Sequence, residues 1–213
     1  MALSESKITI ELREISLKNR PDSLYEISTK GTVPVLQINK NKIIDESLQI
    51  MLWAINESNL NWLQKNPKEQ MDIIKINDTN FKFWLNKYKY SNRYPEKSID
   101  EYQKHCKKIL STYESMLSAK EYLFDNRYQL ADIAIFPLIR QCENIDQEWF
   151  AINFPNLNIW LNKLKAILRY FHRARQYRMM RNAFYIVTLR QKIFHDQLTF
   201  WRNFKQTPLI RHS

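Results

Sequence analysis

Residues 30–47 read KGTVPVLQINKNKIIDES, and one proline within them decides the fold. Val33-Pro34-Val35-Leu36-Gln37-Ile38 has the β-branched, apolar content of a strand. Proline removes a ladder donor and is normally barred from a central strand. If the Val33–Pro34 bond is cis, the Val33 N–H and C=O turn away from the sheet and can pair with an extended peptide ligand. The plainer alternative is an edge-strand proline with no role. Asn39-Lys40-Asn41-Lys42 connects to Ile43-Ile44, and a helix begins at Asp45 or Glu46 with Leu48, Met51, Leu52 and Ile55 as its apolar stripe. The free N–H groups and the Ser47 hydroxyl at that helix start suit an anion, and Glu46 suits an ammonium. Together they fit an amino-acid head group. Ordinary capping by Asp45 and Ser47 explains the same residues without a ligand.

Outward from this core, the chain divides in two. Residues 7–15, KITIELREI, read as a strand, and Pro21 opens a short helix over 21–28 that faces Leu24 and Ile27 inward. After residue 58 the strand signals stop. An Asn-rich linker over 58–66 leads to helices at 67–88 (through Met71, Ile74, Asn77 and Phe81), from the Ser98–Glu101 capping box to about Ser118, at 130–145 and at 156–167. A β-rich part followed by an all-helical part predicts an α/β domain joined to a helical bundle.

The stretch ELREISLKNRPDSLYEISTKGTVPVLQINKNKIIDESLQIMLWA resembles the glutathione transferase N-terminal domain, of thioredoxin-like fold, from its second strand onward. KGTVPVL and IIDES are the most telling parts. YLFDNRYQLADIAIFPLIRQC and FPNLNIWLNKL resemble two helices of that family's second domain, so the likeness covers about residues 1–165. It implies glutathione as co-substrate, with the backbone of Val33 beside Pro34 pairing with the cysteinyl group. It also places Glu46 and Ser47 on the γ-glutamyl group and Lys30 near the glycyl carboxylate. Asp132 matches a buried aspartate of structural role; three residues earlier, where the family has Ser or Thr, stands Gln129, a poor N-cap that costs on the order of 1 kcal/mol.

Met1-Ala2-Leu3 aligns with the end of the family's first helix, so the first strand and the catalytic Cys, Ser or Tyr are expected to be missing, and no catalytic residue is assigned. The missing strand would lie between residues 7–15 and 33–38, and the sheet would need a strand from elsewhere, such as a partner chain. The expected domains are 1–57 (truncated thioredoxin-like), 58–66 (linker), 67–165 (all-α) and 166–213 (an Arg-rich tail, helical or disordered). The resemblance implies a small electrophilic or disulfide substrate and is compatible with a homodimer. Two other readings remain: a non-enzymatic binding or interaction module, or an inactive truncated gene product, using the same groove.

Charge singles out the tail. Residues 1–165 hold 23 Lys+Arg against 21 Asp+Glu, whereas 166–213 hold 10 against 1. Ile167, Tyr170, Phe171, Ala174 and Tyr177 follow helical spacing, with Arg169, Arg173, Arg175, Arg178 and Arg181 beside them. A basic amphipathic helix can bind nucleic acid or an anionic membrane surface; a run-on or frame-shifted end, or a solvated helix without a partner, is the favoured reading, and the tail is expected to be dispensable for the fold. No run of about 18 apolar residues suggests a membrane span. The start, MALSESKITIELREI, does not read as a signal peptide, and a cytoplasmic location is expected. Cys106 and Cys142 form no CxxC pair and read as buried, inert thiols. His105, His172, His195 and His212 show no metal-ligand spacing, so no metal is expected. Trp53, Trp84 and Trp160 read as core.

Overall fold

The computed structural model describes residues 1–174 and 183–189, with side chains through residue 169. Two compact units emerge, the first made of Ala2–Asn59 together with a strand from beyond Tyr177, the second running from Leu60 through the last helix.

The first unit opens with α1 (Ala2–Glu5), after which Lys7, at φ 57°, turns the chain into β1 (Ile10–Ser16). Helix α2 (Asp22–Ile27) follows, then β2 (Val35–Asn39), β3 (Lys42–Ile44) and α3 (Ser47–Asn56). The strand expected at 7–15 thus begins three residues later, because α1 and its turn use the preceding backbone. The sheet has helices on both faces. On one, Ile15 and Val35 pack with Leu24, Ile27 and Val33. On the other, Leu36 and Ile38 pack with Ile50, alongside Leu3, Ile10, Leu12, Ile44 and Trp53. Strand alternation sends neighbouring residues to opposite faces, which is why Val35 and Leu36 fall in different clusters. In α3 the buried positions are Ile50 and Ala54, while the expected stripe of Leu48, Met51, Leu52 and Ile55 is half-buried.

The middle of this sheet is filled from the far end of the chain. Strand β4 (Ala183–Leu189) lies between β1 and β2, giving the order β1-β4-β2-β3. It pairs antiparallel with β1 over seven residues, from Ile10↔Leu189 to Ser16↔Ala183, and parallel with β2 from Val35↔Ile186 to Gln37↔Thr188. This corrects the expectation for 166–213. The tail is neither helix nor disorder throughout, because seven of its residues form a central strand. The slot expected to need a strand from elsewhere is filled by the chain's own. The helical spacing is real up to the end of α9 at Ala174; Arg175, Tyr177, Arg178 and Arg181 lie outside the described residues.

The second unit is helical. Pro67 opens α4 (Pro67–Ile76), which runs through a π-helical turn (Asn77–Phe81) into α5 (Lys82–Lys89). Gln70, Ile74, Asn77, Phe81, Leu85 and Tyr88 are its buried ladder, spaced by three and four as a helix against a core requires. Helix α6 (Ile99–Met116) starts at the expected capping box: the Glu101 N–H donates to Ser98 Oγ at 3.2 Å and the Ser98 N–H to Glu101 Oε2 at 3.1 Å. Then come α7 (Leu130–Glu143), α8 (Gln147–Asn153) and α9 (Pro155–Ala174). Helix α8 was not anticipated from the sequence; its own signal is Asp146, whose carboxylate accepts the Trp149 N–H.

A proline in β4 tests the corrected sheet. Ile186→Pro removes a backbone donor from a central strand and leaves its buried acceptor unpaired, at a cost of about 1–3 kcal/mol. Hydrogen exchange should then show lost protection at Ile10–Ser16 and Val35–Gln37, with α6 and α7 unchanged. Retained protection in β1 and β2 would mean that β4 does not hold the sheet.

Candidate functional site

Of the residues chosen from the sequence, Lys30 and Glu46 are joined directly, near the open end of the β2–β3 hairpin. The Val33–Pro34 peptide is cis, and β2 begins at the next residue. Pairing of Leu36 with Ile44 sets the hairpin register. Val33 and Pro34 lie just before β2, and Glu46 and Ser47 lie two and three residues past β3, at the start of α3. Side-chain bonds close the same end. Lys30 Nζ donates to Glu46 Oε1 at 2.7 Å and to Asp45 Oδ1 at 3.1 Å, and Ser28 Oγ donates to Asp45 Oδ2 at 3.0 Å.

These bonds shift the charges they join. The bonds to Glu46 and Asp45 raise the Lys30 ammonium above its ordinary value, and those from Lys30 and Ser28 hold the Asp45 carboxyl below its own. Lys30 and Glu46 are exposed at 50% and 64% of their side chains, so the pair is solvated and exchangeable. Glu46 is the N-cap residue of α3 without a side-chain capping bond, and Ser47 is the first helical residue. The orphan N–H groups of this ten-residue helix are therefore not used up by either side chain.

Gly31 explains why the chain's single glycine stands where it does. Its φ is +57°, and a Cβ there would collide with the Tyr25 ring. In this turn the Gly31 N–H donates to the Ser28 carbonyl at 3.0 Å. The Ser28–Asp45 bond was not anticipated; its partners stand 17 residues apart and share no local motif.

Asp132 and its partners belong to the helical unit. Its Oδ1 accepts the Leu123 N–H at 3.0 Å and the Trp160 indole N–H at 2.7 Å, and its Oδ2 accepts the Gln129 N–H at 2.8 Å. Gln129 Oε1 is buried without a partner, in keeping with its poor standing as a cap. Gln70 forms a second buried hub that sequence reading missed: its amide donates to the Trp62 and Lys65 carbonyls and accepts the Ala131 N–H.

The remaining candidates fall elsewhere. Cys106 and Cys142 are fully buried in the helical unit, where the neighbouring Cys106 sulfur and burial both push the Cys142 thiol up. Trp160 is core and Trp53 packs on the sheet. Trp84 is half-buried, stacks on His105 at 3.7 Å, and borders a concavity of about 260 Å³ with Lys108 and Tyr113. None of Lys30, Val33, Pro34, Glu46 or Ser47 lines that concavity. Among the described residues, no group of three or more His, Cys, Asp or Glu could hold a metal, and no helix is long and apolar enough to cross a membrane.

A family model described as the glutathione S-transferase N-terminal domain matches residues 1–62, and one described as the glutathione S-transferase C-terminal domain matches residues 73–167. The chain belongs to the glutathione S-transferase family. Solved members share its fold. A glutathione transferase family member from Pseudomonas fluorescens, solved with two glutathione bound, is similar at a TM-score of 0.66 and 20% identity, over 80% of this chain and 85% of that one. Glutathione S-transferase 1-6 from Anopheles dirus species B is similar at 0.64 and 18%, over 78% and 81%. A glutathione transferase from Phanerochaete chrysosporium, in complex with oxidized glutathione, is similar at 0.63 and 20%, over 76% and 82%. No curated protein matches the chain in sequence. Within this glutathione S-transferase chain the expected thioredoxin-type unit and helical unit are both present, each with its own core.

Asp132 gives the helical unit a pH signature. Burial pushes its carboxyl up to about 6 from an ordinary 3.8, against the pull of its three donors. The unfolded chain loses this proton near pH 4 while the fold keeps it to about 6, so the contribution present at low pH is lost as pH rises through that window. The loss is at most about 3 kcal/mol, at about 1.4 kcal/mol per unit. Relative to Asp132→Asn, which does not titrate, the parent's melting midpoint should fall between about pH 4 and 6 and level off above. A constant difference across that window would show that Asp132 stays ionised throughout.

Proposed function

We propose that the chain binds glutathione at the open end of the β2–β3 hairpin, through the Val33 backbone beside cis-Pro34, with Glu46, Ser47 and Lys30. The observation that carries this reading is a cis Val33–Pro34 peptide directly before β2 together with Lys30 bonded to both Asp45 and Glu46 at the start of α3. Val33 supplies a backbone donor and acceptor for the cysteinyl peptide. Glu46 takes the γ-glutamyl ammonium, while Ser47 Oγ and the N–H groups opening α3 take its carboxylate. Lys30, already beside Glu46, lies on the side proposed for the glycyl carboxylate.

The reaction class is attack of the glutathione thiolate on a small electrophile, or thiol exchange with a disulfide, in the cytoplasm and without a metal. The protein's part is to hold the tripeptide and favour its thiolate. We assign no catalytic residue. Neither cysteine serves, because both are buried in the helical unit with Cys142 pushed away from the thiolate form. A purely binding role would use the same residues, and turnover of an electrophilic aryl halide with glutathione separates the two.

Binding is tested directly by calorimetry. Ser47→Ala removes one donor to an anion, and Glu46→Gln removes the charge facing an ammonium. Each should weaken glutathione binding by about 1–3 kcal/mol. Unchanged affinity in both variants would reject the assignment, whatever the activity.

A further inference from the structure

Glu46 already holds an ammonium of the kind proposed for its ligand. Lys30 Nζ donates to its Oε1 at 2.7 Å, and among the described residues no other side chain bonds to that carboxylate. Lys30 therefore stands where the γ-glutamyl ammonium would, and a ligand has to displace it. Where the displaced cation goes then decides how much the exchange costs, since a lysine left without a partner forfeits its ion pair.

Asp45 supplies the second seat, and its bonds make it the firmer of the two. Its Oδ1 accepts Lys30 Nζ at 3.1 Å, while its Oδ2 accepts the hydroxyl of Ser28 at 3.0 Å. Ser28 is buried, so that bond ties Asp45 to the body of the unit. The Asp45 side chain is 29% exposed against 64% for Glu46. Of the two carboxylates bridged by Lys30, one is tethered elsewhere and the other is held by the lysine alone. A bridging ammonium keeps the tethered partner when it gives up the other. Charge points the same way: two carboxylates face one lysine, so a second ammonium is attracted without the first having to leave.

We infer, on the glutathione reading above, that Asp45 is a positioning residue of that site: it is the seat to which Lys30 withdraws when the ligand's ammonium takes Glu46. Asp45 touches no ligand itself and acts through Lys30. The arrangement selects the head group. A free α-ammonium opens the Lys30–Glu46 pair and replaces it, whereas a head group acylated on that nitrogen brings no cation and leaves the pair closed.

Calorimetry on full-length chains at low ionic strength tests this, with glutathione and with glutathione acetylated on its α-amino nitrogen. Asp45→Asn keeps the side chain's size and an acceptor for Ser28 but loses the charge that seats the lysine. It should weaken glutathione about two- to five-fold, the worth of one exposed ion pair, and should not weaken the acetylated ligand. In a Lys30→Met background the cost of Asp45→Asn should vanish, because no cation remains to be seated. Lys30→Met alone should tighten γ-glutamylcysteine, which lacks the glycyl carboxylate, by a similar factor; this arm decides by itself where Asp45→Asn does not fold. An equal cost of Asp45→Asn with and without Lys30 would overturn the proposal, since Asp45 would then act through its charge alone. No cost in either background would overturn it too, as would γ-glutamylcysteine bound no tighter after Lys30→Met. The glutathione reading fails separately: Glu46→Gln would then leave the affinity for glutathione unmoved, and the role of Asp45 would fall with it.

Discussion

Backbone hydrogen bonding across the middle of the sheet is the constraint on which the first unit depends. Strands β1 and β2 are not hydrogen-bonded to each other; each pairs with β4 between them. A strand edge left open inside a sheet orphans its N–H and C=O groups and uncovers the apolar residues beside them. Seven antiparallel pairs carry on the order of seven bonds, each worth about 0.5–1.5 kcal/mol net. That sum is comparable with the whole stability of a typical domain, about 5–15 kcal/mol. The proposed site inherits the dependence. Pro34 directly precedes β2, and Glu46 follows β3 by two residues, so both are positioned only as well as the hairpin is held.

The helical unit rests on a different device, buried polar hubs that tie loops to helices. Asp132 gathers donors from Leu123, Gln129 and Trp160, and Gln70 joins the segment around Trp62 and Lys65 to the first turn of α7. A buried polar group is costly unless bonded, so each hub fixes one arrangement of its partners. These residues point inward among apolar neighbours and serve the fold.

How far the sequence could be read follows from what each signal depends on. Pro34, Gly31 and the Ser98–Glu101 box act through local backbone geometry, so their positions were readable from adjacent residues. The helices at 67–88 and 130–145 carried their period in the side chains themselves. The tail strand was hidden for the opposite reason. AFYIVTL is as good a strand as ITIEL, but it lies behind an Arg-rich run, and nothing local says that its partners are Ile10–Ser16 and Val35–Gln37, far upstream. The charge shift at residue 166 drew the boundary at the wrong property, since a net-basic segment can still contain an uncharged strand. Gln70 and Ser28 were invisible because polar residues at those spacings match no motif; only the folded chain shows which carbonyls and carboxylates face them.

Lys30 connects the turn chemistry to the ligand chemistry. Without ligand its ammonium sits between Asp45 and Glu46, which keeps two like charges from facing each other unscreened at the start of α3. An ammonium arriving at Glu46, as the proposal requires, competes with Lys30 for that carboxylate. Lys30 need not be expelled, because Asp45 is held separately by Ser28 and offers Lys30 a second anchor. The exchange therefore swaps one solvated ion pair for another while leaving Lys30, held by Asp45, beside the ligand. Beside Lys30, Gly31 takes a left-handed turn in which a Cβ would collide with the Tyr25 ring, so any other residue there would strain the turn.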